Sequence, residues 1–206
     1  MVDGQLIDGD HVLLERAAGR SWTVDAADFW QVHPAAADTL VATVLDGLAP
    51  RPGEGAFDLY CGVGLFAGAL LDAGCRVWCL ESSTAAIELA AHNLSDAADR
   101  VRLRADRVER GLRRLPKRTG LIVLDPPRTG AGPAVMKAVA FRRPRAIAYV
   151  ACDPAALARD LGIAADLGYR PSSIRAFDLF PMTAHVECVA ILKPDAGARR
   201  APGTER

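Results

Sequence analysis

The chain has 206 residues, half of them hydrophobic and about a quarter charged, which suits one globular domain with a sizeable buried core. Lys plus Arg and Asp plus Glu total 25 each, so the net charge of zero argues neither for nor against a nucleic-acid partner. No uncharged apolar run approaches the roughly 18 residues of a membrane span and no apolar leader opens the chain, which predicts a soluble, cytoplasmic protein with no membrane partner. Its cysteines (Cys61, Cys75, Cys79, Cys152, Cys188) are odd in number and contain no C-x-x-C pair, so neither a disulfide framework nor a metal site is expected.

In chain order, His11 to Val24 reads as a short hairpin turning at Ala17-Ala18-Gly19. Residues 1–25 are thus an N-terminal hairpin segment, a possible remnant of a larger region. Pro34 opens a helix with Val41, Val44, Leu45 and Leu48 on one face, and Pro50-Arg51-Pro52-Gly53 ends it. Ala56–Tyr60, Arg76–Leu80, Val101–Ala105, Leu121–Leu124 and Ala146–Ala151 are short apolar runs and read as strands. Helical stripes fall between them, Ile87, Ala90, Ala91 and Leu94 in one and Leu157, Leu161 and Ala164 in another. This alternation predicts an α/β fold over residues 26–193, a doubly wound, Rossmann-like, mostly parallel sheet. Ser172–Leu179 and His185–Lys193, joined through Phe180-Pro181-Met182-Thr183, should form an antiparallel hairpin that closes one edge. Residues 194–206 read as a disordered tail.

Chemistry first shows at Asp58-Leu59-Tyr60-Cys61-Gly62-Val63-Gly64, a strand running into a glycine turn and then a helix. Glycines at Gly62 and Gly64 let the backbone approach a ligand at the carboxyl edge of the sheet, although a tight strand-to-helix turn alone would also need them. Glu81 ends the next strand, where nucleotide-binding folds place an acid for ribose hydroxyls; Ser82 and Ser83 can cap the following helix instead. A nicotinamide dinucleotide would satisfy these features too. Asp125-Pro126-Pro127-Arg128, again after a strand, adds a stiffened loop that presents a carboxylate and carbonyls in a fixed shape.

The stretches Phe29–Pro34 (FWQVHP), Asp58–Phe66 (DLYCGVGLF), Val123–Gly130 (VLDPPRTG), Tyr149–Leu161 (YVACDPAALARDL) and Asp178–Glu187 (DLFPMTAHVE) resemble, in order, the signatures of the tRNA/rRNA (uracil-5-)-methyltransferase family. The resemblance covers nearly all of residues 1–193. It implies a class I methyltransferase fold, S-adenosylmethionine as cofactor, and methyl transfer to carbon 5 of a uridine in tRNA or rRNA. It places cofactor contacts on Gln31, Tyr60, Glu81 and Asp125, with Asp106 a weaker candidate near the adenine, the nucleophile on Cys152, and the proton-abstracting base on Glu187. It also implies that an N-terminal RNA-binding barrel and an iron–sulfur cysteine cluster have no counterpart here, so the chain is a truncated or shortened form.

The residue types suit that chemistry. Carbon 5 of uracil is a poor nucleophile until a thiolate adds to carbon 6, and the methylated adduct must then lose its carbon-5 proton to a base before the thiol leaves. Two departures from the family pattern, His33 and Asp153, stand out, and a carboxylate at Asp153 beside Cys152 is expected to raise the thiol's pKa. His185 reads as a structural histidine and the arginine-rich Arg100–Arg118 stretch as a solvated face. Other readings are a non-covalent amino- or small-molecule methyltransferase, or an inactive cofactor-binding module that needs an RNA-binding partner.

Overall fold

The computed structural model describes residues 11–27, 29–180, 182–183 and 186–195. The tail from residue 196 on, residues 1–10 and His185 lie outside these. The strands are β1 (Val12–Ala17), β2 (Arg20–Asp25), β3 (Gly55–Leu59), β4 (Arg76–Glu81), β5 (Val101–Ala105), β6 (Leu121–Leu124), β7 (Ala146–Ala151), β8 (Tyr169–Phe177) and β9 (Glu187–Pro194). The helices are α1 (Ala36–Leu48), α2 (Leu65–Asp72), α3 (Thr84–Asn93), α4 (Val108–Gly111), α5 (Gly132–Phe141) and α6 (Pro154–Asp166).

β1 and β2 form the expected hairpin, and its two-residue turn has positive φ at Ala18 (53°) and Gly19 (75°), the conformation that matches the twist of the flanking strands. The hairpin is fastened to the rest of the molecule. Trp22 is fully buried, and the Arg20 guanidinium donates to both Asp72 (2.7 Å) and Asp96 (2.9 Å). α1 starts at Ala36 rather than Pro34, because the His33 ring Nδ1 and carbonyl accept the Ala35 and Ala36 amides and hold the entry as a turn.

The large sheet has the order β5-β4-β3-β6-β7-β9-β8, with β3 to β7 parallel and β9 antiparallel to both neighbours. The closing hairpin is therefore folded in: its second strand lies inside the sheet, and β8 forms the edge. Burial explains this, since β9 buries its first six residues whereas β8 is exposed over most of its length. Helix α3 turns Ala86, Ala90 and the following Leu94 inward, while Ala91, expected on that stripe, is exposed. In α6, Leu157 and Ala164 are buried as expected, and so is Asp160.

Apolar clusters cover both faces of the sheet. One joins the hairpin, α1 and α2; the other joins α4, α5 and α6. Strand order reverses between β3 and β6, so their carboxyl ends diverge and open a crevice, the usual ligand position in such sheets.

Candidate active site

A cleft of about 840 Å³ occupies that crevice, and Gln31, Tyr60, Gly62, Glu81, Asp125, Cys152 and Glu187 line it. Gly64 and Asp106 do not. These seven residues meet in one cavity from six separate segments of chain.

At one end, β3 leaves the sheet through Tyr60, whose φ of 65° is unusual for an aromatic residue, and then Gly62 at 52°. A Cβ on Gly62 would meet nothing within 4 Å, so this backbone faces open cleft. Glu81 is fixed from both sides: Oε2 accepts the Gly62 amide at 3.2 Å, and Oε1 accepts the Ser83 amide at 2.9 Å and the Ser82 hydroxyl at 3.0 Å. Ser83 caps α3 by accepting the Ala86 amide, so Glu81 is not needed as a cap. Gly64 serves packing instead: it precedes α2 with φ 98°, and a Cβ there would lie 2.9 Å from Leu94 Cδ1. The Asp106 carboxylate lies 3.6 Å from Arg110 on the helix that follows it, and the next three residues, Arg107, Val108 and Glu109, reach the cleft. Spacing in the sequence gave no means of choosing among these four.

Gln31 is 8% exposed, and its Oε1 has no hydrogen-bond partner. A buried carbonyl oxygen left unpaired beside a cavity is costly unless a ligand supplies the donor. Phe29 and Trp30 line the cleft next to it, with Phe180 and Arg128 at other points of the wall.

At the other end stand the reactive groups. β7 and β9 run antiparallel with Ala151 opposite Cys188, and continuing that register one step places Cys152 opposite Glu187. Glu187 therefore sits inside the sheet beside the cysteine rather than reaching over an edge. It is 3% exposed, with Oε2 unpartnered, and burial raises its pKa from its ordinary value. Asp125, at the end of β6, is pushed up to about 8 by burial, with the charges of Glu187 and Asp58 adding to it. Burial also pushes up the Cys152 thiol, as do Glu187 and Asp125, while its own backbone amide and Arg128 pull the other way. Asp153 does not act as expected: its Oδ1 accepts the Ala156 amide at 2.7 Å and caps α6, so the carboxylates that oppose the thiolate are Glu187 and Asp125. The other cysteines, Cys61, Cys75, Cys79 and Cys188, are buried, and only Cys152 is partly open.

A family model described as tRNA (uracil-5-)-methyltransferase matches residues 25–195. The chain belongs to that family. Among curated members, an uncharacterized RNA methyltransferase of Streptomyces coelicolor is 56% identical over 92% of this chain and 42% of its own length. One from Streptomyces avermitilis is also 56% identical, over 92% of this chain and 45% of its own. The chain thus spans less than half the length of these relatives. Among solved structures, the Pyrococcus abyssi tRNA (uracil-54, C5)-methyltransferase in complex with S-adenosyl-L-homocysteine superposes with a TM-score of 0.76 at 31% identity, over 89% of this chain and 45% of that one. Pyrococcus horikoshii TYW2, at 13% identity and a TM-score of 0.69 over 90% of this chain and 72% of its own, shares the fold. The sheet is that of a class I methyltransferase.

Proposed function

We propose that this chain is the catalytic part of an S-adenosylmethionine-dependent enzyme that methylates carbon 5 of a uridine in tRNA or rRNA through a covalent Cys152 adduct. The observation that carries the reading is the pairing of Cys152 with Glu187 across β7 and β9 in one cleft, with Asp125 beside them.

The residues present fit the cofactor. Glu81, held by three donors, offers its remaining lone pairs to ribose hydroxyls, the open backbone at Gly62 admits a close ligand, and the unpaired Gln31 Oε1 awaits a donor such as an α-ammonium group. When bound, S-adenosylmethionine supplies an electrophilic methyl group. Cys152, once deprotonated, bonds through Sγ to carbon 6 of uracil, and the displaced electron pair makes carbon 5 nucleophilic. After carbon 5 has gained its methyl, Glu187 takes the proton from carbon 5 and the Sγ–carbon 6 bond breaks, which returns the thiolate. Asp125, with its raised pKa, can hold a proton at neutral pH and so donate a hydrogen bond to the base.

Trapping tests this. Wild-type protein with cofactor and a stem-loop carrying 5-fluorouridine should form a denaturation-resistant adduct, because fluorine at carbon 5 cannot be removed as a proton. Cys152→Ala should form none. Methyl transfer without any trapped adduct would favour the non-covalent alternative, and failure to bind S-adenosylhomocysteine would reject the enzyme reading altogether.

A further inference from the structure

Asp160 lies in α6, the helix that follows Cys152, fully buried and outside the cleft. Its Oδ2 accepts the Tyr149 hydroxyl at 2.6 Å, the Ala131 amide at 2.8 Å and the Gly132 amide at 3.1 Å. Its Oδ1 accepts Arg159 Nε at 2.9 Å, and Arg159 Nη2 in turn donates to the Thr129 carbonyl at 2.8 Å. The Tyr149 hydroxyl is also an acceptor for the Ala131 amide, at 2.9 Å. Although burial opposes the charge, these donors keep the Asp160 carboxyl below its ordinary range, so it is ionised.

The bonds converge on one short piece of chain. Thr129, Ala131 and Gly132 close the loop that begins at Asp125, and Tyr149 stands on β7, the strand that delivers Cys152. Gly130, at φ 77°, is packed so tightly that a Cβ would overlap the Arg159 guanidinium and lie 2.7 Å from Asp160 Oδ2. The other end of the loop is tied as well, since the Asp125 amide donates to the Leu59 carbonyl at 3.2 Å. Simple packing of α6 would need only apolar atoms; apart from the Arg159–Asp160 bond within the helix, every polar bond here goes instead to the backbone of this loop or to the strand beside it.

We infer that Asp160, with Tyr149 and Arg159, is a positioning clamp that fixes the Asp125-Pro126-Pro127-Arg128 loop relative to Cys152. The inference rests on Cys152 being the nucleophile. Its functional content is that Asp125 and Arg128 meet the thiol and the base at fixed separations, and displacements of about 1 Å in such arrangements can cost about 100-fold in rate. Gln31, Tyr60 and Glu81 lie on other segments, so of the expected cofactor contacts only Asp125 is on the clamped loop, and most of the cofactor's hold does not depend on the clamp.

The test compares Asp160→Asn and Tyr149→Phe with Arg20→Ala, which releases the distant hairpin and controls for loss of stability. Two readouts are used: the pH dependence of Cys152 alkylation by iodoacetamide, with no RNA present, and the single-turnover rate of adduct formation with 5-fluorouridine stem-loop at low salt. Asp160→Asn should shift the alkylation profile to lower pH, because the freed loop carries Asp125, which opposes the thiolate more than Arg128 favours it, and should slow adduct formation about 100-fold; Tyr149→Phe should slow it about 10-fold. Affinity for S-adenosylhomocysteine should stay within about threefold of wild type, below the 10-fold that 1.4 kcal/mol represents. The proposal is overturned if Asp160→Asn leaves both profile and rate at wild-type values, or if Arg20→Ala moves them as much. If wild type itself forms no adduct, the uridine reading fails, and the alkylation profiles still decide the clamp. Should Asp160→Asn not fold, Tyr149→Phe and Arg159→Gln decide it by the same profiles.

Discussion

Cys152 rests as a thiol, because burial and the carboxylates of Glu187 and Asp125 disfavour its anion more than Arg128 and the backbone favour it. Its proton must therefore leave as substrate binds, or the fraction of ready enzyme must rise with pH. Alkylation of Cys152 by iodoacetamide should accordingly accelerate with a midpoint above the ordinary thiol value, and Glu187→Gln should lower that midpoint by removing one opposing charge; an unchanged midpoint would mean the carboxylate does not face the sulfur. The same substitution separates the two chemical steps. Cys152→Ala should abolish transfer and capture together, whereas Glu187→Gln should allow methylation but stall before proton removal, so a labelled protein–RNA adduct accumulates on a denaturing gel. Both residues stand in sequence motifs at strand termini, and both line the cleft. Asp153, expected to oppose the thiolate, caps α6, because spacing tells which residues lie near a helix start but not whether a carboxylate turns toward the helix or the cleft; Asp160, on the buried face between Leu157 and Ala164, carries no mark in the sequence of what it bonds.

Among the elements, the five parallel strands could be read from their apolar runs, since a strand buried on both faces needs no alternation. Their lateral order could not, and the insertion of β9 between β7 and β8 is decided by which strand can be covered on both faces, a tertiary property. The two glycines after β3 show the same division. Both look alike in the motif, yet Gly62 faces the cleft and Gly64 faces Leu94. Gly62→Ala should cost about 1 kcal/mol in stability, from its positive φ alone, and should weaken S-adenosylhomocysteine binding. Gly64→Ala adds an overlap with Leu94 and should cost about 2 to 3 kcal/mol while the folded fraction binds normally, as paired melts and calorimetry would show. β3 also buries Asp58, which burial raises to about 7, with the Glu81 charge adding and the Ala67 amide opposing. Its folded pKa exceeds the unfolded one, so its contribution is complete below about pH 4 and is lost as pH rises toward 7. Wild type should thus lose up to about 1.4 kcal/mol per pH unit across that window from this group, and Asp58→Asn should flatten the slope in denaturant titrations.

For the molecule as a whole, the described residues place few cations for RNA near the cleft. Part of the arginine-rich stretch is spent on the fold or turned away. Arg100 donates to the Leu71 carbonyl at 2.6 Å, Arg102 to the Val101 carbonyl at 2.8 Å, and Arg110 lies against Asp106, while Lys117 and Arg118 precede β6, at the end of the sheet opposite the cleft. Among the described residues, Arg107 and Arg128 are the cations that line the cleft. Turning a uridine out of its stack costs a few kcal/mol, which contacts to flanking nucleotides and phosphates must offset. Each phosphate contact is also weakened by salt, so a surface with few cations at the site holds RNA weakly and loses it quickly as salt rises. The cofactor has no such need, because Glu81, Gly62 and Gln31, the residues proposed to hold it, all lie within this chain. The 206-residue chain alone should therefore bind S-adenosylhomocysteine normally yet methylate a uridine stem-loop slowly, with a steep fall between low and moderate salt. The curated relatives are more than twice as long, and a fusion carrying the N-terminal part of one of them should restore the rate and soften the salt dependence without changing cofactor affinity. Single-turnover rates for the chain and the fusion on the same RNA decide this. Equal rates at both salts would mean that the chain carries an RNA grip of its own, and charge reversal at Arg107 and Arg128, compared with Lys117 and Arg118, would then show on which end of the sheet it lies.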